Sequence, residues 1–293
     1  MKDGLVVVDK PAGCTSHDVV ARLRKIYGQR RVGHAGTLDP DATGVLLVGL
    51  GRATRLLRYL SEEGKAYRGR IVFGIATSTL DAAGEVLDQR PMPLTRDQVE
   101  RALPRFIGNI EQLPPMVSAV KVGGRRLHEL ARAGQEVERS PRPVRVDRFE
   151  IEEFTPGPYP EATVVVECGS GTYIRSLAAD LGTALDGCAH LGRLRRLRVG
   201  SFTLDEAHEL GEIESDPDAS VLPLTVAMRD LERVDVDDEQ ARAVVHGVAF
   251  ASGALTVAGD GPFAVVGPDG GLLAVYDRHG AALKAAVVVA AQG

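Results

Sequence analysis

Gly33-His34-Ala35-Gly36-Thr37-Leu38-Asp39-Pro40-Asp41-Ala42-Thr43-Gly44 runs directly into the apolar segment Val45-Leu46-Leu47-Val48-Gly49-Leu50. No other stretch restricts the chain as much. Glycines at 33, 36 and 44 allow tight backbone turns, and Pro40 confines Asp39 to extended conformations. A strand follows at once, so the loop is anchored. Two readings of Asp39 stand on these residues: a turn residue ahead of a proline, or a carboxylate presented rigidly into a cleft.

The rest of the sequence alternates strand and helix signals. Residues 4–9 (GLVVVD) read as a short buried strand, and Lys10-Pro11-Ala12-Gly13 as a turn. Ser16 is placed to cap a helix over 17–27, with Val19, Val20, Leu23 and Ile26 on one face and Arg22, Arg24 and Lys25 off it. Residues 28–44 read as loop, 45–50 as a strand and 52–60 as a helix. In that helix Leu56, Leu57 and Leu60 face inward, and Arg52, Arg55 and Arg58 lie on another side. Residues 66–73 alternate as a strand, with Tyr67, Gly69, Ile71 and Phe73 on one face. Thr95 and Gln98 match a capping box for a helix reaching Phe106.

Residues 109–143 differ in character. Pro114-Pro115, Gly123-Gly124 and Pro141/Pro143 bracket a basic, helix-like centre, KVGGRRLHELARAG, and the segment reads as an inserted arm. Strands follow at 144–152 and 161–168, then a loop entering a helix that stops near Gly182. The segment AHLGRLRRLRVG places four arginines within six residues. Residues 211–220 (GEIESDPDAS) are acidic and read as a linker. Beyond them a short helix at 237–246 and strands at 255–258, 263–267, 272–276 and 283–290, with a hairpin turn at 268–271, predict a small β domain. At roughly 65 residues it lies near the lower size at which a domain folds alone.

The net charge of −5 hides an asymmetry. Residues 1–200 carry 30 Lys+Arg against 24 Asp+Glu, and residues 201–293 carry 5 against 16. A basic body with an acidic end fits RNA contact on one part of the molecule; it fits solvated faces equally well. Three cysteines, Cys14, Cys168 and Cys188, lack metal or disulfide spacing and fit a reducing, cytoplasmic setting. No stretch reaches the roughly 20 apolar residues of a membrane span. The N-terminal apolar run is too short for a signal segment.

The motifs together resemble one family. GHAGTLDPDATGVL is similar to the catalytic motif of the TruB family of pseudouridine synthases. GLVVVDKPAGCTSHDVV resembles that family's N-terminal motif, and KAYRGRIVFGIATSTLDAAGE its tyrosine-bearing strand and following loop. QLPPMVSAVKVGGRRLHELARAGQEVE resembles its RNA-gripping insertion, and GTYIRSLAADLG and AHLGRLRRLRVG its remaining active-site segments. These matches run in family order over about residues 4–205. The C-terminal piece resembles the family's small PUA-like barrel.

The resemblance implies roles. Asp39 takes the position of the essential aspartate, and Arg175 that of the arginine paired with it. A guanidinium nearby keeps a carboxylate ionised and oriented. A cation at a helix start is otherwise mildly unfavourable, which agrees with a buried partner for Arg175. Tyr67 matches the tyrosine that stacks on the target base, and Tyr173 and Leu194 match pocket-lining residues. His34 matches the histidine that enters the RNA loop where the base leaves. Lys10, Lys65, Arg125 and Arg126 are further substrate-binding candidates, with Arg52, Arg55, Arg58 and the arginines of 193–198 for phosphates. Asp41 departs from the small or apolar residue expected there, and is taken to face solvent or a basic neighbour.

The expected fold is α+β: a mixed, largely antiparallel sheet with flanking helices (residues 1–226, the arm at about 109–143), then a PUA-like β domain (227–293). The expected activity is isomerisation of uridine 55 in the TΨC loop of tRNA to pseudouridine. The base must be flipped out for that chemistry. No atoms are gained or lost, so no cofactor or metal is expected. The expected partner is the T-arm of tRNA, with no membrane and no required protein partner, the protein acting as a monomer. One rival is a tRNA-binding or tRNA-folding protein on the same scaffold without catalysis. Another, a nucleotide-phosphate enzyme, lacks Gly-Lys-Ser/Thr and G-x-G-x-x-G at a strand–helix turn.

Overall fold

The computed structural model describes residues 1–118, 121, 122, 124–127, 135, 137–251 and 253–290, with 121, 122 and 126 as backbone only. In chain order the elements are β1 (Gly4–Lys10), α1 (Ser16–Ile26), β2 (Val32–Ala35), β3 (Thr43–Leu50), α2 (Leu57–Glu62), β4 (Lys65–Phe73), β5 (Ile75–Thr77), β6 (Val86–Gln89), α3 (Arg96–Ala102), β7 (Gly108–Gln112), β8 (Lys121–Val122), β9 (Arg125–Arg126), β10 (Arg142–Thr155), β11 (Glu161–Cys168), α4 (Ile174–Ala184), β12 (Ala189–Val199), β13 (Phe202–Thr203), α5 (Leu210–Ser215), α6 (Leu224–Ala227), β14 (Glu232–Asp235), α7 (Asp238–Val245), β15 (Phe263–Val266), β16 (Leu272–His279) and β17 (Ala282–Val288). Contacts divide the chain into two compact units: 1–40, 44–62 and 199–293 in one, 41–43 and 63–198 in the other.

In the first unit β3 pairs antiparallel with both β1 and β2. The expected loop over 28–44 therefore contains a strand. Its shortness and its glycine hide it from periodicity. Helix α1 forms where expected, but its cap is Thr15, in a reciprocal capping box with Asp18. Ser16 is buried and has another task, described below. The expected helix over 52–60 splits into a 3-10 turn, Gly51–Arg55, and the short α2.

The acidic segment read as a linker is packed structure. Leu210 and Ile213 are buried in α5. Arg22 pairs with Glu214 at 2.6 Å, Lys2 with Asp218 at 2.7 Å, and the Tyr27 hydroxyl donates to the Pro217 carbonyl at 2.8 Å. Two apolar anchors and basic neighbours from distant sequence hold it, which composition alone does not reveal.

The C-terminal sheet has the order β14-β15-β16-β17, with β14 and β15 parallel and the other pairs antiparallel. The expected strand at 255–258 is absent, and β14 stands in the sheet instead. The hairpin turn at 268–271 is present, closed by Gly267 N–H to the Gly271 carbonyl at 2.9 Å. Both faces of this sheet are buried. Ala264, Val266, Leu272 and Val275 join a core with Leu5, Val7, Val45 and Leu47. Phe263, Val265, Ala274 and Tyr276 pack with Val234 and Val244 on the other side. Alternate residues of one strand thus feed two cores, so packing groups residues 227–293 with the first sheet.

The second unit is built on the strand order β12-β4-β11-β10-β7. Tyr67 pairs with Val166 of β11, and Tyr67, Gly69, Ile71 and Phe73 form the buried face expected for β4. The Thr95/Gln98 capping box is present, followed by a 3-10 turn to Phe106. Both ends of the expected arm belong to the sheet, since β7 and β10 pair from Arg142↔Gln112 to Val146↔Gly108. Between them lies the β8–β9 hairpin, Lys121↔Arg126. Arg132, in the helix-like centre of the arm, lies outside the described residues.

Candidate active site

Asp39 is the half-buried residue of a loop pinned on both sides of it. Ahead of it, Ser16 at the start of α1 brackets Leu38. The Leu38 N–H donates to Ser16 Oγ at 2.9 Å, and that hydroxyl is 3.2 Å from the Leu38 carbonyl. Behind it, the Pro40 carbonyl accepts from the Gly13 N–H at 3.0 Å and from Lys10 Nζ at 2.9 Å. Lys10 is fully buried, and its ammonium also donates to Pro11 O at 2.8 Å and Cys14 O at 2.6 Å. Put forward above as a substrate contact, Lys10 anchors the loop. The strand β1, the turn after it and α1 together fix residues 38 and 40, and Asp39 stands between two immobilised neighbours. Asp41 is exposed, as assumed.

His34 lies on β2 opposite Val48, on a strand and not in a loop. Its ring meets His17 edge-on, with centroids 5.4 Å apart.

In the second unit Tyr67 is buried on β4. Two residues along the same face, a Cβ at Gly69 would sit 3.2 Å from Leu191 and 3.7 Å from Leu194. The glycine leaves room for Leu194 of β12 on the face that carries Tyr67. Lys65 is buried at the start of β4 and donates to the Glu63 carbonyl at 2.7 Å. Burial, reinforced by the charge of Arg196, pushes its ammonium down to about 8.

Arg175 occupies the first turn of α4 and is 5% exposed. Its Nη1 donates to the Thr79 carbonyl at 3.0 Å, and its Nη2 to Val117 O at 2.8 Å. Asp81 Oδ2 lies 3.4 Å from Nη1. Asp81 is in turn held by the Thr79 hydroxyl at 2.5 Å and the Ala83 N–H at 3.1 Å. The half-buried carboxylate of Asp81 is thus one partner of this cation at a helix start. Tyr173 precedes α4 and is fixed by Gln112 of β7: its N–H donates to Oε1 at 2.7 Å and its carbonyl accepts from Nε2 at 3.0 Å. Gln112 is only 1% exposed.

Sequence reasoning singled out neither Asp81 nor Gln112, and it read Ser16 only as a helix cap. The Thr-Ser-Thr-Leu-Asp run, dense in short polar side chains that bond their own backbone, was the available sign for Asp81. Nothing local marks Gln112.

The arginines divide sharply. Arg52 bonds Asp3 at 2.7 Å and the Val289 carbonyl at 2.6 Å. Arg55 bonds Val288 O at 2.6 Å, and Arg58 engages Tyr59 and Asp277. Arg196 is fully buried, and Arg198 is paired with Glu167 at 2.8 Å. Arg52, Arg55, Arg58 and Arg198 thus have partners within the protein, and Arg196 has no surface to offer a phosphate. Arg193 and Arg125 are exposed. Arg125 bonds Gln135 at 3.3 Å, and the Arg126 side chain is outside the described residues.

A loop that presents a held carboxylate in the first unit, and a buried tyrosine and a buried arginine at a helix start in the second, are the residue types of an enzyme acting on a glycosidic centre. The chain matches the model of the TruB family pseudouridylate synthase N-terminal domain over residues 24–174. It matches the tRNA pseudouridylate synthase B C-terminal domain over 175–232 and the C-terminal model of tRNA pseudouridine synthase II over 231–290. It is 52% identical to the tRNA pseudouridine synthase B of Symbiobacterium thermophilum over 84% of this chain and 83% of that one. It is 46% identical to the Thermobifida fusca protein of the same name, over 99% of each. Among solved structures it superposes on a chain of an H/ACA RNP bound to a substrate RNA containing 2'-deoxyuridine (TM-score 0.76, 25% identity, 99% of this chain and 86% of that one). A Cbf5-Nop10-Gar1 complex gives TM-score 0.76 at 26% identity, over 98% and 85%. The chain belongs to the TruB family of pseudouridine synthases, and its α+β fold is the fold of that family. Among the described residues no helix is long and apolar enough to cross a membrane.

Proposed function

We propose that this protein isomerises uridine 55 in the TΨC loop of tRNA to pseudouridine, with Asp39 as the catalytic carboxylate. Family membership supports the reaction class. The observation that carries the residue assignment is the pinned loop: Ser16 and Lys10 immobilise the neighbours of Asp39 while its own side chain stays half-exposed.

The reaction breaks the N1–C1′ bond, turns the uracil, and joins C5 to C1′. The C5 proton leaves and N1 gains one, so atoms balance without a cofactor. An ionised carboxylate serves this by adding to the sugar or by stabilising an oxocarbenium-like centre. Tyr67 stacks on the base, with Leu194 and Tyr173 lining the pocket. Arg175 holds the catalytic carboxylate ionised. His34 enters the T-loop as the base flips out, and Lys65, Arg125 and Arg126 contribute to RNA binding. The protein works as a cytoplasmic monomer on the T-arm, with residues 227–293 forming its PUA-like part.

The test is tritium release from tRNA labelled at uridine C5. Asp39→Asn and Asp39→Ala are expected to release none while binding tRNA within about threefold of wild type, since affinity resides in the many basic contacts. Turnover by Asp39→Ala would remove the assignment. Loss of turnover with tRNA refolding intact would show the folding activity of the rival reading to be separate from catalysis.

A further inference from the structure

Among the described residues two non-glycine positions have left-handed backbones, Leu80 at φ 64° and Asp186 at φ 59°. Aspartate tolerates that region because its short polar side chain bonds locally; leucine has no such compensation, and strain of this kind persists only where surroundings over-determine it. Leu80 is over-determined. Its N–H donates to the Thr77 carbonyl at 3.2 Å, and its carbonyl accepts from Leu191 N–H at 3.0 Å. The next N–H but one, of Ala82, returns to Leu191 O at 3.1 Å. The Thr77 hydroxyl closes the turn on Asp81 O at 2.6 Å. Gly84 completes it, since a Cβ there would collide with Thr79.

The turn has a consequence on either side of residue 80. The carbonyl before it, Thr79 O, and the side chain after it, Asp81 Oδ2, converge on one nitrogen, Arg175 Nη1, at 3.0 and 3.4 Å. A chain continuing in extended form through residue 80 would send these two acceptors apart. We propose that Leu80 is a positioning residue for catalysis: its left-handed backbone aims Thr79 O and Asp81 together at Arg175 and so fixes the guanidinium that the reaction uses. The inference rests on the catalytic reading of Arg175 given above and adds to it a residue that acts through its backbone.

Because the backbone is what matters, substitutions should rank by tolerance of positive φ rather than by hydrophobicity. In single-turnover tritium release, Leu80→Asn and Leu80→Gly are expected within about threefold of wild type, and Leu80→Ile, which is β-branched, slower by about tenfold or more. Filter binding should give all of them wild-type tRNA affinity. Leu80→Ile at the wild-type rate, or Leu80→Asn as slow as Leu80→Ile, would overturn the proposal. So would a loss in Leu80→Ile that appears equally in affinity. Should Leu80→Ile fail to fold, Leu80→Ala against Leu80→Asn decides, the asparagine variant being the faster one expected and equality overturning the idea. Arg175→Lys measured alongside separates the two layers. Wild-type turnover in it would remove the reading of Arg175, whereas an inactive Arg175→Lys beside a fully active Leu80→Ile removes the role of Leu80 alone.

Discussion

Lys10 Nζ donates to the Pro40 carbonyl at 2.9 Å, a bond across thirty positions of sequence that ends one residue from Asp39. The same ammonium holds Pro11 O and Cys14 O, so one buried side chain ties together β1, the turn after it and the loop that carries Asp39. A buried ammonium is tolerated only with its donors used, and here they are used on backbone acceptors whose positions matter.

Lys10→Met should therefore act on both stability and rate. It removes three part-buried hydrogen bonds to backbone carbonyls, of which Pro40 O keeps the Gly13 N–H, at about 0.5–1.5 kcal/mol for each bond lost. The expected result is a clear fall in Tm and a single-turnover rate reduced by at least tenfold, roughly, as the loop loses its anchor. Lys10→Arg cannot fit the three acceptors with a planar fork and should lie close to Lys10→Met. Thermal unfolding with tritium release on the same preparations checks both.

Asp81→Asn tests the surroundings of Arg175 in the second unit. It keeps the volume and one acceptor but removes the charge beside Arg175. A buried ion pair broken from one side costs about 3–5 kcal/mol in general; here Thr79 O and Val117 O remain as acceptors, so a smaller stability loss is expected. The rate should fall by about tenfold or more while tRNA affinity holds, because the guanidinium loses one of its restraints. A variant with wild-type turnover would show that the carboxylate of Asp81 is dispensable for orienting Arg175.

What the sequence made legible was what local chemistry decides. The apolar runs of β1 and β3, the alternation of β4, the Thr95/Gln98 box and the 268–271 turn each depend on neighbours a few residues apart. What it concealed depends on distant partners. Thr15 and Ser16 look alike as caps, and only the approach of Leu38 makes Ser16 a bracket for the Asp39 loop. Arg52 and Arg55 look like phosphate ligands until Val288 and Val289 arrive from the far end of the chain. Asp39 stood out because the glycines and proline that shape its loop lie beside it. Asp81 did not, because Arg175 reaches it from across the second unit.

Lys65 gives a pH dependence whose sign is fixed by the direction of its shift. Burial lowers the ammonium from 10.5 to about 8. The folded state thus holds this proton less tightly than the unfolded state does. The resulting cost is full below pH 8 and is relieved as pH rises from about 8 to 10.5. Lys65→Met removes that term. The stability of the variant relative to wild type should be greatest near pH 7 and should decline toward pH 10. Denaturant unfolding across this range measures it, and a difference that stays level would show that Lys65 keeps its normal affinity for the proton.

The last prediction concerns the arm and the C-terminal part. On charge alone, the acidic end of the chain is a poor phosphate grip, so deleting residues 227–293 would be expected to weaken tRNA binding less than alanine at Arg125 and Arg126. The packing alters how that comparison must be made. Val266, Leu272, Val275 and Val287 share one core with Leu5, Val7, Val45 and Leu47, and Arg55 and Arg52 are bound to the carbonyls of Val288, the last residue of β17, and of Val289 after it. Truncation at 227 uncovers the apolar face of β1 and β3. Each large side chain so exposed forfeits about 1.5–3 kcal/mol, so the truncated protein should be insoluble or unfolded and its binding uninformative. The intact chain gives the cleaner comparison. Arg125→Ala with Arg126→Ala should leave Tm unchanged, lower affinity, and flatten the dependence of log affinity on log salt by up to about two released counterions. Charge removal at Arg233 and Arg278 in the C-terminal sheet should leave that slope unaltered, because Arg233 is paired with Asp235 at 2.6 Å and Arg278 with the Gly259 carbonyl at 2.7 Å. A parent slope in the arm variant, with a flattened one in the C-terminal variant, would move the RNA grip from the arm to the β domain.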